Sequence, residues 1–142
     1  MEKIKFNERL EKNGNLNRGQ QMEKIASNYF KVEYKKDNAN HLNDSDINVN
    51  NLHISVKSKD CSLDNLKTHT NLQNSIENFL QEDFSNTYLY MVENTEKEIY
   101  GYLMNKEEFG KFLQAKASIT SDNKFRIRKS DSNVNIWFSL NF

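Results

Sequence analysis

Met22, Ile25, Ala26, Tyr29 and Phe30 recur at helical spacing, and this apolar face predicts a helix from about residue 17 to residue 34. Residues 1–15, ahead of it, are charged and close on Asn13-Gly14-Asn15, which reads as a flexible arm or short helix leading into a turn. Residues 35–43 are polar and turn-rich, a loop ending in Asp44-Ser45-Asp46. Asp46 then opens an extended segment, Ile47-Asn48-Val49. The pair Asn50-Asn51 offers a turn back into Leu52-His53-Ile54-Ser55-Val56-Lys57. Strand side chains alternate between faces, so His53, Ser55 and Lys57 share one side while Leu52, Ile54 and Val56 form the apolar one. Folding the hairpin brings Asp46 towards Lys57. A carboxylate beside an ammonium on a half-buried sheet is the core of a site that can hold a divalent metal next to a phosphate.

The remaining pattern continues the alternation of helix and strand pair. Lys59-Asp60 ends the sheet, and Ser62 is placed to cap a second helix carrying Leu63, Leu66, Leu72, Ile76, Phe79 and Leu80, with Thr68-His69-Thr70 as an interruption. Residues 87–92 and 98–104 predict a hairpin about the polar stretch 93–97. Asn105 with Glu108 three residues on has the form of a capping box, followed by Phe109, Phe112 and Leu113 on one helical face. Residues 124–129 and 134–139 alternate around Ser130-Asp131-Ser132-Asn133 and predict a last hairpin, with Trp137 packed in the sheet. This order predicts an α/β (α+β) chain with one mixed central β-sheet flanked by helices, a single domain across 1–142. The sequence holds no internal repeat.

Composition narrows the classes. A chain of 142 residues is long enough to bury a core, and its 9 Phe, 6 Tyr and single Trp argue against disorder despite the abundance of Asn. Lys+Arg and Asp+Glu are 20 each, so nucleic-acid binding would have to come from a local patch. There is no apolar run of membrane-spanning length and no signal-peptide pattern, and the lone Cys61 forms no internal disulfide, which together predict a cytoplasmic home. One Cys with His41, His53 and His69 shows no zinc-ligand spacing.

A helix bearing Glu23, Asp46 opening a strand, and a following strand ending in Ser55-Val56-Lys57 together resemble the PD-(D/E)XK, or restriction-endonuclease-like, nuclease superfamily over roughly residues 17–66. The resemblance implies a Mg²⁺-dependent (or Mn²⁺-dependent) DNA endonuclease of restriction or mobile-element type. Asp46 would be the principal metal ligand, Glu23 a helix-borne ligand or an acid supporting the ligands from behind, with Gln20 one turn earlier on the same face, and Lys57 the catalytic lysine. A hard cation held by carboxylates polarises a phosphodiester and acidifies a water, and a lysine beside it neutralises charge growing in the transition state. The family places an acid two residues before the lysine, and this chain has Ser55 there. Either Glu23, Asp44 or Asp60 supplies the missing oxygen, or metal binding is weak, or catalysis is lost and the fold kept.

Each of these residues also has an ordinary use: Asp46 in a turn, Lys57 as a solvated strand-end lysine, Glu23 as a surface charge. A second feature is the strand 124–129, where Phe125 and Ile127 would face the core while Lys124, Arg126 and Arg128 project together, suiting phosphate oxygens. The same charges would serve equally to protect a solvated edge strand. Lys59 and Lys35-Lys36 could extend this basic surface. Tyr88, Tyr90, Tyr100 and Tyr102 are expected as cross-strand pairs holding the middle hairpin, with base stacking as the alternative. The expected partner is double-stranded DNA, cut by a homodimer with no membrane involvement. Two other readings stay open: an inactive nucleic-acid-binding module of the same fold, and a phage or plasmid protein-binding inhibitor.

Overall fold

A computed structural model describes residues 1–12, 14–34, 45–58, 60–62, 71–121, 124–127 and 134–142. Among these, five strands form one mixed sheet in the order β1-β6-β5-β3-β2: β1 (Glu2–Phe6), β2 (Ile47–Val49), β3 (Leu52–Lys57), β5 (Thr87–Glu93) and β6 (Ile99–Asn105). A smaller sheet has the order β4-β8-β7, from β4 (Asp60–Ser62), β7 (Ala117–Ile119) and β8 (Lys124–Ile127). Four helices accompany them among the described residues: α1 (Arg18–Tyr29), α2 (Leu72–Glu82), α3 (Lys106–Lys116) and α4 (Val134–Asn141). The class is therefore mixed α+β, a mixed sheet flanked by helices, as the pattern predicts.

The large sheet is apolar on both faces, and the two faces differ. On one, α1 lays Met22, Ile25 and Ala26 against Ile4, Phe6, Ile47, Ile54, Val56, Leu89, Met91 and Ile99. On the other, Tyr88, Tyr90, Tyr102 and Met104 meet Phe109, Phe112 and Leu113 of α3, Ile76 of α2, Phe125 and Ile127 of β8, and Phe138 of α4. Rings there are stacked, with centroids 4.3 Å apart for Tyr88 and Phe109 and 3.8 Å for Tyr102 and Phe138. Such pairs contribute roughly 0.5–1.5 kcal/mol beyond the area they bury. Gly101 of β6 sits where Phe6 crosses the first face. A Cβ at that position would lie 2.8 Å from both Phe6 Cε2 and Leu89 Cδ1, so the packing requires glycine.

Local chemistry accounts for the helix ends. Asn17 accepts from the Gln20 amide at 2.8 Å and Gln20 Oε1 accepts from the Asn17 amide at 3.0 Å, a reciprocal cap that starts α1 where predicted. The helix stops at Tyr29, not Tyr34, because Lys31 takes a left-handed φ of 58° and the Val32 amide returns to the Ser27 carbonyl. Asn105 and Glu108 close the capping box of α3 as expected.

Three other expectations are corrected. The amino-terminal segment contains a strand rather than an arm or short helix: Ile4 and Phe6 alternate into the core while β1 pairs antiparallel with β6. Ser62 belongs to strand β4 of the smaller sheet, and the residue that caps α2 is Asn71. Residues 134–139 do not form a strand. They lie in helix α4, and β8 pairs with β4 and β7 instead. Trp137 accordingly packs on a helix, against Phe112 and Phe138. Residues 35–44, Lys59, 63–70 and 128–133 lie outside the described residues, and with them Lys35-Lys36, Asp44, Leu63, Leu66, Thr68-His69-Thr70 and Arg128.

Candidate functional site

The hairpin of β2 and β3 is antiparallel in the register Ile47↔Ile54, Asn48↔His53, Val49↔Leu52, and it turns at Asn50 with a left-handed φ of 53°. Asparagine tolerates that conformation because its short amide can bond locally. On its other side β3 runs parallel to β5, with Ser55 opposite Tyr88 and Lys57 opposite Tyr90. Because β2 begins only at Ile47, the last residues of β3 run on past the end of their neighbour. Asp46 fills that gap: its Oδ2 accepts the Val56 amide hydrogen at 2.8 Å. The carboxylate thus stands in for a missing ladder partner and is held on the strand end.

Helix α1 packs across β3 and brings in the second acid. Met22, Ile25 and Ala26 are buried against Ile54 and Val56, which leaves Glu23 half-buried beside the strand end. Its carboxyl is pushed up to about 7, first by burial and then by the negative charge of Asp46, with the Lys57 ammonium opposing both. Three groups from three elements therefore share one electrostatic neighbourhood: Glu23 of α1, Asp46 ahead of β2 and Lys57 at the end of β3.

The alternation expected in β3 holds for Ile54 and Val56, which are buried, whereas Leu52 near the turn is exposed. Ser55 is buried and offers a neutral hydroxyl where a third acid would stand. Among the described residues no group of three or more His, Cys, Asp or Glu side chains could hold a metal. Two carboxylates are what Glu23 and Asp46 provide. Mg²⁺ is commonly held by one or two carboxylates together with waters and substrate phosphates, so this donor set fits such an ion. The mutual repulsion of the two acids is the charge a cation would relieve.

The basic residues are distributed differently. Arg126 is exposed on β8, with Asp60 and Ser118 at the register positions on either side. Among the described residues β8 is the middle strand of its sheet, which removes the reading of its charges as edge protection. Lys124 is fixed by its register opposite Ser62, while Arg128 and Lys59 lie outside the described residues. Tyr88, Tyr90 and Tyr102 are buried, and Tyr90 pairs directly with Tyr102 across the hairpin. They are core, not base-stacking surface.

Sequence reasoning missed Phe84 and Asn86. Asn86 straps the hairpin, its Oδ1 accepting from the His53 amide at 2.9 Å and its Nδ2 donating to the Asn51 carbonyl at 2.9 Å. Phe84 packs on the His53 ring with centroids 4.8 Å apart. The only signal was a polar Ser85-Asn86 step before an apolar strand, which many loops share. No family model matches the chain, and comparisons with curated proteins and solved structures likewise return no match. Among the described residues no helix is long and apolar enough to cross a membrane.

Proposed function

We propose that this chain is a Mg²⁺-dependent DNA endonuclease with a restriction-endonuclease-like core, acting at the end of strand β3. The observation that carries the reading is the meeting of Glu23, Asp46 and Lys57 in one neighbourhood, where burial first and the Asp46 charge second push the Glu23 carboxyl up to about 7 against the opposing Lys57 ammonium. A bound divalent cation would supply positive charge against the scissile phosphate and acidify a water. The chain's own residues do the rest. Asp46 is oriented by the Val56 amide, which fixes its carboxylate at the end of β3, where it would be a ligand to the cation. Glu23 contributes a further oxygen once its proton is released. Lys57 stabilises negative charge developing on the phosphate oxygens and orients the attacking water.

Arg126 supports a backbone contact on the same substrate. Asp60 follows Lys57 by three positions and pairs with Arg126, so the Cα atoms of Lys57 and Arg126 lie within about 16 Å. The two halves of such a site, cation pocket and phosphate clamp, then lie within that reach of each other. Cleavage of both strands by one small chain calls for a homodimer on double-stranded DNA.

Incubation with plasmid DNA tests this directly. Cleavage should require Mg²⁺ or Mn²⁺ and fall by roughly 10²–10⁴-fold in Lys57→Ala and Asp46→Asn. Cleavage retained by both variants, with each still folded, overturns the assignment. Salt-dependent DNA binding with no cleavage by the wild type, and with Asp46→Asn unaffected, would instead identify an inactive binding module for which Ser55 marks the lost acid.

A further inference from the structure

His53 is held in a way that its role in the fold does not require. Asn48 Nδ2 donates to the Ser45 carbonyl at 3.2 Å, which turns Asn48 Oδ1 towards the imidazole, 2.7 Å from His53 Nδ1. An amide oxygen only accepts, so Nδ1 donates in this bond, and in the tautomer that this selects Nε2 is the acceptor. The backbone beneath the ring is fixed as well, by Asn86 on the His53 amide and by the Asn86 amide on the His53 carbonyl at 3.0 Å. Beside it stands Phe84, its ring 43% exposed although it touches the imidazole. The result is an oriented acceptor next to an open aromatic face.

We infer that His53 and Phe84 form a subsite for one unpaired nucleobase, which stacks on Phe84 while an exocyclic amino group donates to His53 Nε2. This rests on the nucleic-acid reading of the neighbouring cluster. His53 and Lys57 are four residues apart on the same side of one strand, a separation of about 13 Å or about four base steps of a duplex strand. A nucleic-acid strand that has a phosphate at Lys57 and runs along β3 would reach the hairpin end. Base–aromatic stacking is worth about 1–3 kcal/mol per base, roughly a 5- to 150-fold change in affinity. Adenine, cytosine and guanine carry the amino donor, and thymine does not.

Binding of labelled single-stranded oligodeoxynucleotides, measured by fluorescence anisotropy without divalent metal, tests the subsite. Phe84→Ala should weaken binding about tenfold, within the stacking range. Because Phe84 is an exposed side chain outside the core clusters, this variant should keep the wild-type circular dichroism; Phe84→Leu, which keeps bulk without a ring, should behave like it. His53→Phe, which keeps a ring and removes the acceptor, should weaken adenine- and cytosine-containing strands more than oligothymidine. An abasic site walked along the strand should weaken the wild type at one position and leave Phe84→Ala unaffected there. Unchanged binding by Phe84→Ala, or equal abasic losses in both proteins, overturns the subsite. A wild type that binds no oligonucleotide overturns it together with the nuclease reading. Loss in Phe84→Ala from a wild type that never cleaves DNA leaves the subsite standing and removes only the catalytic assignment.

Discussion

Residues 47–57 and 124–139 carry similar patterns, apolar positions alternating with polar ones on either side of a polar turn, and they fold differently. The first is a hairpin, β2 on β3, with Ile47 and Ile54 paired and buried. In the second, β8 joins another sheet and Val134–Asn141 is a helix. The difference lies in a coincidence of period. Val134 and Phe138 are two strand steps apart and also one helical turn apart, so both structures bury them. Ile136 and Trp137 distinguish the two: a strand would bury Ile136 beside Val134 and Phe138, whereas α4 leaves it 56% exposed and brings Trp137 against Phe112 and Phe138. In the first hairpin β-branched residues and Asn50-Asn51 remove that ambiguity. In the second, nothing between 134 and 139 does.

The largest effect expected from a single change sharpens this contrast from the helical side. Phe138 is buried, stacked on Tyr102 at 3.8 Å and on Phe112 at 5.1 Å. Phe138→Ala should lower stability by about 3–5 kcal/mol in denaturant unfolding. A loss near that of an exposed site would mean that α4 is not docked on the aromatic layer.

How far the fold was legible follows from the same reasoning. The α1 face, the first and middle hairpins and the α3 cap were readable because each rests on local chemistry: a helical stripe, an Asn turn, a reciprocal Asn–Glu box. The stop of α1 at Tyr29 was not, because neither Gly nor Pro marks it and Lys31 takes the left-handed position. The parallel pairing of β3 with β5 and the place of β1 at the sheet edge depend on contacts between distant residues, which periodicity does not encode. The site shows the same division. Asp46 and Lys57 share a hairpin and could be brought together on paper, whereas Glu23 joins them only because α1 crosses β3. The strap from Asn86 had only a polar step before an apolar strand as its local sign, which many loops share.

Asp46 is the next largest lever, and it separates structure from chemistry within the hairpin. Asp46→Ala leaves the Val56 amide without its partner, which should cost about 1.5–3 kcal/mol, as hydrogen bonds to charged groups do. Asp46→Asn keeps an acceptor oxygen and should recover most of that stability while removing the charge. Equal losses in the two variants, by urea titration, would show that charge and not the amide bond holds the strand end.

Glu23 gives a smaller effect with a definite sign. The folded chain keeps a proton on this carboxyl up to about pH 7, whereas the unfolded chain releases it near 4.5. Between those values the native state binds more protons, so its stability falls as pH rises and the contribution is lost above about 7. Glu23→Gln should flatten that slope and exceed the wild type in thermal stability above pH 7. Mg²⁺ should raise the melting temperature of the wild type there and leave Glu23→Gln nearly unchanged, because only the ionised pair attracts the ion. A slope retained in Glu23→Gln would move the responsible proton elsewhere.

The smallest expected change is the most discriminating for the second stretch. In a strand over residues 134–139, Ile136 would sit on the inner face between Val134 and Phe138, and a lysine there would cost several kcal/mol by burying an unpaired charge. On α4 the same position is open to solvent, so Ile136→Lys should alter stability by no more than about 0.5 kcal/mol. Paired with Phe138→Ala two residues away, it turns a period ambiguity into a ratio: one near-silent change and one severe one define a helix, and two severe ones define a strand. The measurement is a denaturant midpoint for each variant, and comparable losses in both would return residues 134–139 to the hairpin that their alternation suggests.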